Sequence, residues 1–262
     1  MITKDIASKL KAHQTPFYYY DTELLKETLS VVSGEASIRG FHVHYAVKAN
    51  FNPVIMKTIA GYGIGADCVS GNEVEHAIAC GFAARETVFA GVGKSDREIE
   101  KALDLGIKCF NVESAAELEV INEIAGRKGK LAAVALRINP NVEANTIKHI
   151  TTGTDENKFG IRMAELERVT GLMADYDNIK FHGIHFHIGS QITDLKVYRN
   201  LCSRINDLYE WFTERGLEPE DINVGGGLGV SYDDPDRFPP FAAYFDVFRN
   251  HLDNRIRSTI SF

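Results

Sequence analysis

Five places in the sequence carry groups able to do chemistry, and each stands where a short apolar run stops. Lys48 follows HYAV. A lysine ending an apolar strand holds its amine at the rim of a partly desolvated cavity, as a covalent-catalysis lysine needs. The same lysine also reads as a side chain snorkelling to water. Asp67, in GADCVSG, stands where it can pair with a neighbouring amine or sit at a helix N-terminus. Arg137 closes the nearly all-apolar LAAVALRINP. A guanidinium there must meet an anion, whether a ligand or a salt-bridge partner, because unpaired burial is costly. The run FHGIHFHIGSQ puts His185 and His187 on one face of a strand and His182 on the other. His187 is nearest the strand's end, followed by Gly189 and Ser190, so its imidazole could stack on an aromatic ring; His182 and His185 read as satisfied core histidines. Finally, Gly225, Gly226 and Gly227 of GGGLG let backbone N–H groups approach an anion with no Cβ in the way, or else serve only a tight turn.

Three other patterns fail on spacing or depth. GVGKSD (91–96) has the tail of a phosphate-binding P-loop, but the leading glycine would fall on Val88. GGGLG misses the dinucleotide spacing because position 230 is Val230. His42 and His44 resemble the paired histidines of metal-dependent barrel hydrolases. His44 lies four residues before Lys48, roughly 13 Å down the strand at about 3.3 Å per residue, too deep for an open coordination position.

The elements that must position these groups alternate. Strand-like runs at 42–47, 64–69, 87–90, 107–112, 131–138, 179–187, 221–224 and 258–262 are separated by helix-like stretches near 53–61, 71–81, 95–105, 114–128, 163–175, 194–215 and 241–252. Ser70 or Asn72, Ser95 with Glu98, and Ser114 with Glu117 supply helix starts. Such alternation means a parallel sheet, and eight strands in this length suit a closed α/β (β/α)8 TIM-like barrel better than an open doubly wound sheet. Barrel enzymes work at the C-terminal ends of their strands, and the loops after strands seven and eight are the usual phosphate site. A lysine after strand one, an imidazole after strand six and a glycine turn after strand seven therefore converge on one mouth. Together they suit a flat, phosphate-bearing aldehyde cofactor, pyridoxal 5'-phosphate.

PFYYYD (16–21) reads as a ninth strand with no barrel slot, leading into a helix at 22–33. The expected organisation is an N-terminal segment 1–21, whose strand joins a β domain not in this chain, and a cofactor-binding barrel over 22–262, incomplete after its eighth strand. SYDDPDRFPP (231–240) reads as a polar loop over the mouth.

The chain has 262 residues, 44% hydrophobic and 25% charged, with formal net charge −7. The charge argues against nucleic acid and anionic membrane surfaces as partners. Four scattered cysteines with no CxxC pair read as free thiols in a reducing cytosol. The N-terminus lacks an apolar signal-peptide core, and no apolar run approaches the roughly 18 residues of a membrane span. A cytoplasmic protein is expected.

HYAVKAN, GADCVSGNE, NKFG, HFHIGSQ and NVGGGLG, in that order, resemble the alanine-racemase-fold (fold-type III) pyridoxal-phosphate decarboxylases. HIGSQ favours the branch acting on meso-diaminopimelate, in lysine biosynthesis, over those acting on ornithine or arginine. The resemblance implies that Lys48 binds the cofactor covalently, that Asp67 sits beside it, and that His187 stacks on its ring. It implies that Ser190 and the N–H groups of Gly225, Gly226 and Gly227 hold the phosphate, while Arg137 lines the site. Lys158 of NKFG gets no catalytic role. It further implies a small amino-acid substrate, a homodimer when full length, and a following glutamate-bearing segment and β domain that complete the site. This chain then looks like a partial form, weak or inactive alone. Another decarboxylase or racemase of the same fold, a cofactor-binding barrel without a reaction, and a metal hydrolase remain as alternatives.

Overall fold

A computed structural model describes residues 4–140, 159–232 and 239–262. Lys158, and most of the expected loop 231–240, lie outside the described residues. In chain order the elements are α1 (Lys4–Leu10), α2 (Thr22–Ile38), β1 (Phe41–His42), β2 (His44–Ala46), α3 (Pro53–Ala60), β3 (Gly65–Cys68), α4 (Gly71–Ala79), β4 (Thr87–Phe89), α5 (Asp96–Leu105), β5 (Cys109–Val112), α6 (Ala115–Arg127), β6 (Ala132–Asn139), β7 (Ile161–Arg162), α7 (Leu166–Ala174), β8 (Ile179–His185), α8 (Leu195–Thr213), β9 (Asp221–Asn223), α9 (Phe241–His251) and β10 (Thr259–Ser261). All ladders are parallel and run β1-β10-β9-β8-β6-β5-β4-β3-β2, with β7 paired to β6.

The two ends of that order are one strand. β1 pairs with β10, while β2, one residue further on, pairs with β3. The seam is continuous: Phe262 N–H donates to the His42 carbonyl (3.0 Å), and His44 N–H donates to the Phe262 carbonyl (2.8 Å). Eight strand positions therefore close on themselves, as the alternation implies. Phe262 fixes the seam by packing against Phe41, Phe245 and Phe248, with centroids 4.9–5.3 Å apart.

Helix starts follow the expected serines. Ser70 Oγ accepts from Glu73 N–H and Ser114 Oγ from Glu117 N–H, both at 3.2 Å. Ser95 differs: its backbone N–H and hydroxyl both donate to Glu98.

Side chains sort across the barrel wall by the strand's two-residue period. Outward positions such as Phe89, Phe110, Leu136 and Ile184 bury against the helices in one continuous core. The inner face carries small or polar side chains. Val88, Cys109 and Ala135, with Ala133, form a separate apolar plug. Near the opposite end from the mouth, Lys108 pairs with Asp221 at 2.6 Å, and Ser261 donates to the same carboxylate at 2.5 Å.

Several expectations change. Residues 16–21 form no ladder among the described residues, and Tyr18 is 88% exposed; the strand expected there would pair with a β domain not in this chain. A β-branched or aromatic run marks a strand only when a neighbouring backbone takes its N–H and C=O groups. Helix α1 and the two-residue strand β7 carried no sequence signal. β8 stops at His185, not His187.

The Lys108–Asp221 pair makes a stability prediction. Lys108→Met leaves a buried carboxylate unpaired and is expected to cost about 3–5 kcal/mol in urea unfolding at pH 7. Adding Asp221→Asn should recover most of that loss. A single-variant cost under about 1 kcal/mol would show that the pair is solvated.

Candidate active site

At the C-terminal ends of the strands lies a cavity of about 820 Å³. That is the size of a small-molecule or cofactor site. Lys48, Asp67, Arg137, His187, Ser190 and Gly225–Gly227 all line it. The eight residues read from sequence thus share one space.

Lys48 sits in a single 3-10 turn, Val47–Ala49, directly after β2. Val47 is fully buried and anchors the turn, while the lysine is exposed at the cavity wall. The Tyr45 hydroxyl donates to the Asn50 carbonyl at 3.0 Å, closing the backbone beyond it. On the adjacent strand, Asp67 is pushed up to about 6, because burial disfavours its charge; the positive fields of Lys48 and then Arg137 oppose that push. Its Oδ1 is sealed from solvent and has no hydrogen-bond partner.

Arg137 finds its anion within the protein. Its Nη1 donates to Glu113 Oε1 at 2.5 Å, and Glu113 Oε2 accepts the Gly160 N–H at 2.9 Å. The guanidinium also lies 5.3 Å from the Phe159 ring centroid. Behind this pair, Glu117 accepts the Glu113 N–H (2.8 Å) and binds Lys94 (2.6 Å). Lys94 in turn donates to the Gly91 and Asn111 carbonyls. The lysine of GVGKSD is therefore a buried tie beneath the cavity wall.

Both mouth-facing histidines are held neutral. Burial, then the charges of Arg137 and Lys48, lowers His187 to about 4. Burial, then Arg137, also lowers His185 well below the ordinary histidine range, and its Nδ1 has no partner. His185 thus belongs to the cavity wall and is not a satisfied core histidine. His182 meets Glu220 at 3.1 Å instead. His44 reaches the cavity floor, shallower than the strand count implies. Burial, then Lys108, lowers it to about 4, and the nearby ammonium disfavours a bound cation. Among the described residues no three His, Cys, Asp or Glu side chains group as metal ligands.

The glycine turn divides its work unevenly. Gly225 (φ 73°) and Gly227 (φ 94°) press on the HFHIGSQ loop; a Cβ there would run into the Phe186 and Gly189 carbonyl oxygens. A Cβ on Gly226 would meet nothing within 4 Å. The Gly225 N–H is already taken by Asn223 Oδ1 at 2.9 Å. This corrects the expectation of three equivalent donors, since an N–H aimed at a side chain beneath it cannot also serve an anion above. Among the described residues no acceptor takes the N–H of Gly226 or Gly227. An open glycine face, two available N–H groups and the unpartnered Asp67 oxygen fit a group carrying both a dianion and a polar ring.

Glu113, Lys94, Asn223 and Gln191 were missed as site residues. Gln191 stood in the quoted HIGSQ, Asn223 in the quoted NVGGGLG and Lys94 in a rejected motif; Glu113 gave no spacing signal.

The family model of the pyridoxal-dependent decarboxylases, pyridoxal binding domain, matches residues 31–261. The chain belongs to this family. It is 51% identical to the diaminopimelate decarboxylase of Bacteroides thetaiotaomicron over 97% of this chain and 67% of that protein. With the diaminopimelate decarboxylase of Aquifex aeolicus it shares 40% identity, over 92% of this chain and 57% of that one. The crystal structure of the Helicobacter pylori diaminopimelate decarboxylase complexed with L-lysine superposes with TM-score 0.91 at 35% identity, covering 97% of this chain and 64% of that chain. The chain thus spans about 57–67% of the length of these relatives. Family membership makes pyridoxal phosphate the cofactor and the barrel its binding domain.

Asp67 generates a pH prediction for the cofactor-free protein. Its folded pKa, about 6, lies above the ordinary 3.8. No penalty exists below the unfolded value; as pH rises through 6 the folded state must ionise a buried acid and loses stability. Asp67→Asn should therefore be near neutral at pH 4 and stabilising by up to about 3 kcal/mol at pH 8 in urea titrations. A variant equally stable relative to wild type at both pH values would show that Asp67 is solvated.

Proposed function

We propose that the full-length protein is a pyridoxal-phosphate-dependent carboxy-lyase that converts meso-diaminopimelate to L-lysine. The observation that carries this reading is that the Lys48 amine and the Gly226–Gly227 N–H pair line one cavity, together with a neutral imidazole from His187. The names of the relatives support the substrate.

Bound there, the cofactor supplies an electron sink for the pair released as CO2 departs. The chain's own groups make the site. Lys48 would hold the aldehyde end of the cofactor through its amine. Gly226 and Gly227 would offer two N–H dipoles to the phosphate, and Ser190, exposed at the same rim, would add a hydroxyl. His187 offers a flat uncharged face to the ring; an imidazolium there would repel Lys48 and Arg137. The Asp67 carboxyl lies within the field of the Lys48 amine, which opposes the rise that burial imposes on it. Arg137, neutralised by Glu113, is a rigid wall and keeps its charge from competing for the substrate carboxylate.

The reading places the protein in the cytoplasm, consistent with four free, buried thiols and with the absence, among the described residues, of any helix long and apolar enough to cross a membrane. It also makes the protein a homodimer. Phe51 and Val92, in loops after the strands' C-terminal ends, and Val54, in the first turn of α3, are 60–70% exposed, an apolar rim suited to a partner.

Full-length protein mixed with pyridoxal phosphate should show a visible absorption band that borohydride abolishes and that Lys48→Ala never forms. The loaded protein should release CO2 and L-lysine from meso-diaminopimelate, and do so faster than it acts on ornithine or arginine. A band without turnover on any of the three would leave a cofactor-binding barrel and contradict the enzyme reading.

A further inference from the structure

Gln191 is the one non-glycine among the described residues with positive φ, at 58°. That left-handed conformation costs a side-chain-bearing residue free energy, so the surroundings must impose it. What imposes it is a two-way amide pairing. Gln191 Nε2 donates to the Val230 carbonyl (3.2 Å), and the Val230 N–H donates to Gln191 Oε1 (3.0 Å). The side chain thus takes the place of a neighbouring strand at the far end of the glycine turn. Between these points the two loops are zipped by Ile192 N–H to the Gly227 carbonyl and Gly229 N–H to the Ile192 carbonyl, both 2.9 Å. At the near end, the buried Asn223 carboxamide holds the Gly225 N–H at 2.9 Å.

We propose that Gln191 and Asn223 are positioning residues: two carboxamides that clamp the glycine turn at its two ends and so aim the Gly226 and Gly227 N–H groups into the cavity. The proposal rests on the cofactor reading above and extends it to residues outside the phosphate contacts. A turn of alternating left-handed glycines has many conformations of its own. Without the clamp, the N–H pair would have to be ordered by the ligand at the expense of affinity. Both carboxamides spend their hydrogen bonds on the ends of the glycine turn, Val230 and Gly225, so the clamp acts first on the phosphate arm.

That selectivity gives the test. Affinities for pyridoxal 5'-phosphate and for pyridoxal, which lacks the phosphate, are measured on the full-length protein by absorbance titration, with circular dichroism melts to confirm folding. Gln191→Ala and Asn223→Ala should each weaken pyridoxal phosphate about tenfold while leaving pyridoxal within about twofold. Gln191→Gly relieves the left-handed backbone but removes the amide; it should fold at least as well as Gln191→Ala and still lose phosphate discrimination. Equal losses for both ligands, or no loss for either, would overturn the clamp. A wild-type protein that does not prefer the phosphorylated form would overturn the cofactor reading itself, a distinct outcome.

Discussion

The closing of the sheet through a single split strand is the constraint on which the rest of this structure depends. Val43 is the hinge point: residues before it pair with β10 and residues after it pair with β3. Once the seam closes, alternate strand side chains, such as His44 and Ala46 on β2 or Arg137 on β6 and His185 on β8, must point into a narrow interior. Among the described residues, the eight barrel positions leave no free edge. Side chains that would be surface groups on an open sheet become neighbours across the barrel, which is how a lysine after the first strand comes to share a cavity with glycines after the seventh.

Interior volume then decides where that cavity lies. Val88, Cys109, Ala133 and Ala135 fill the middle of the barrel, and the Lys108–Asp221–Ser261 cluster fills its base. Toward the C-terminal ends the strands carry Gly225, Asp67 and Ala46 in place of large apolar groups, and space opens. Burial in this rim neutralises His185 and His187 and raises Asp67. The field left in the cavity is set by Lys48, the backbone N–H dipoles and, above about pH 6, the Asp67 carboxylate.

Much of this was legible from residue order. The eight strand positions, the capping serines at Ser70 and Ser114, and the convergence of Lys48, Asp67, His187 and GGGLG follow from local periodicity and from where apolar runs stop. What was not legible depends on contacts between distant segments. Arg137 was bound to meet an anion, but nothing in its neighbourhood says that the anion is Glu113, 24 residues away in sequence. The aromatic run 16–21 has the composition of a strand without a backbone to pair with. The three glycines look equivalent in sequence. Only the approach of the Phe186 and Gly189 carbonyls separates the two that pack from Gly226, which faces open space.

The most direct test is a crystal structure of the full-length protein grown with pyridoxal 5'-phosphate. The account predicts continuous density from Lys48 Nζ to the cofactor, its ring against His187, and phosphate oxygens about 2.7–3.2 Å from the Gly226 and Gly227 nitrogens. Phosphate seated elsewhere, for instance on the Gly91–Lys94 turn with Lys48 unattached, would contradict it.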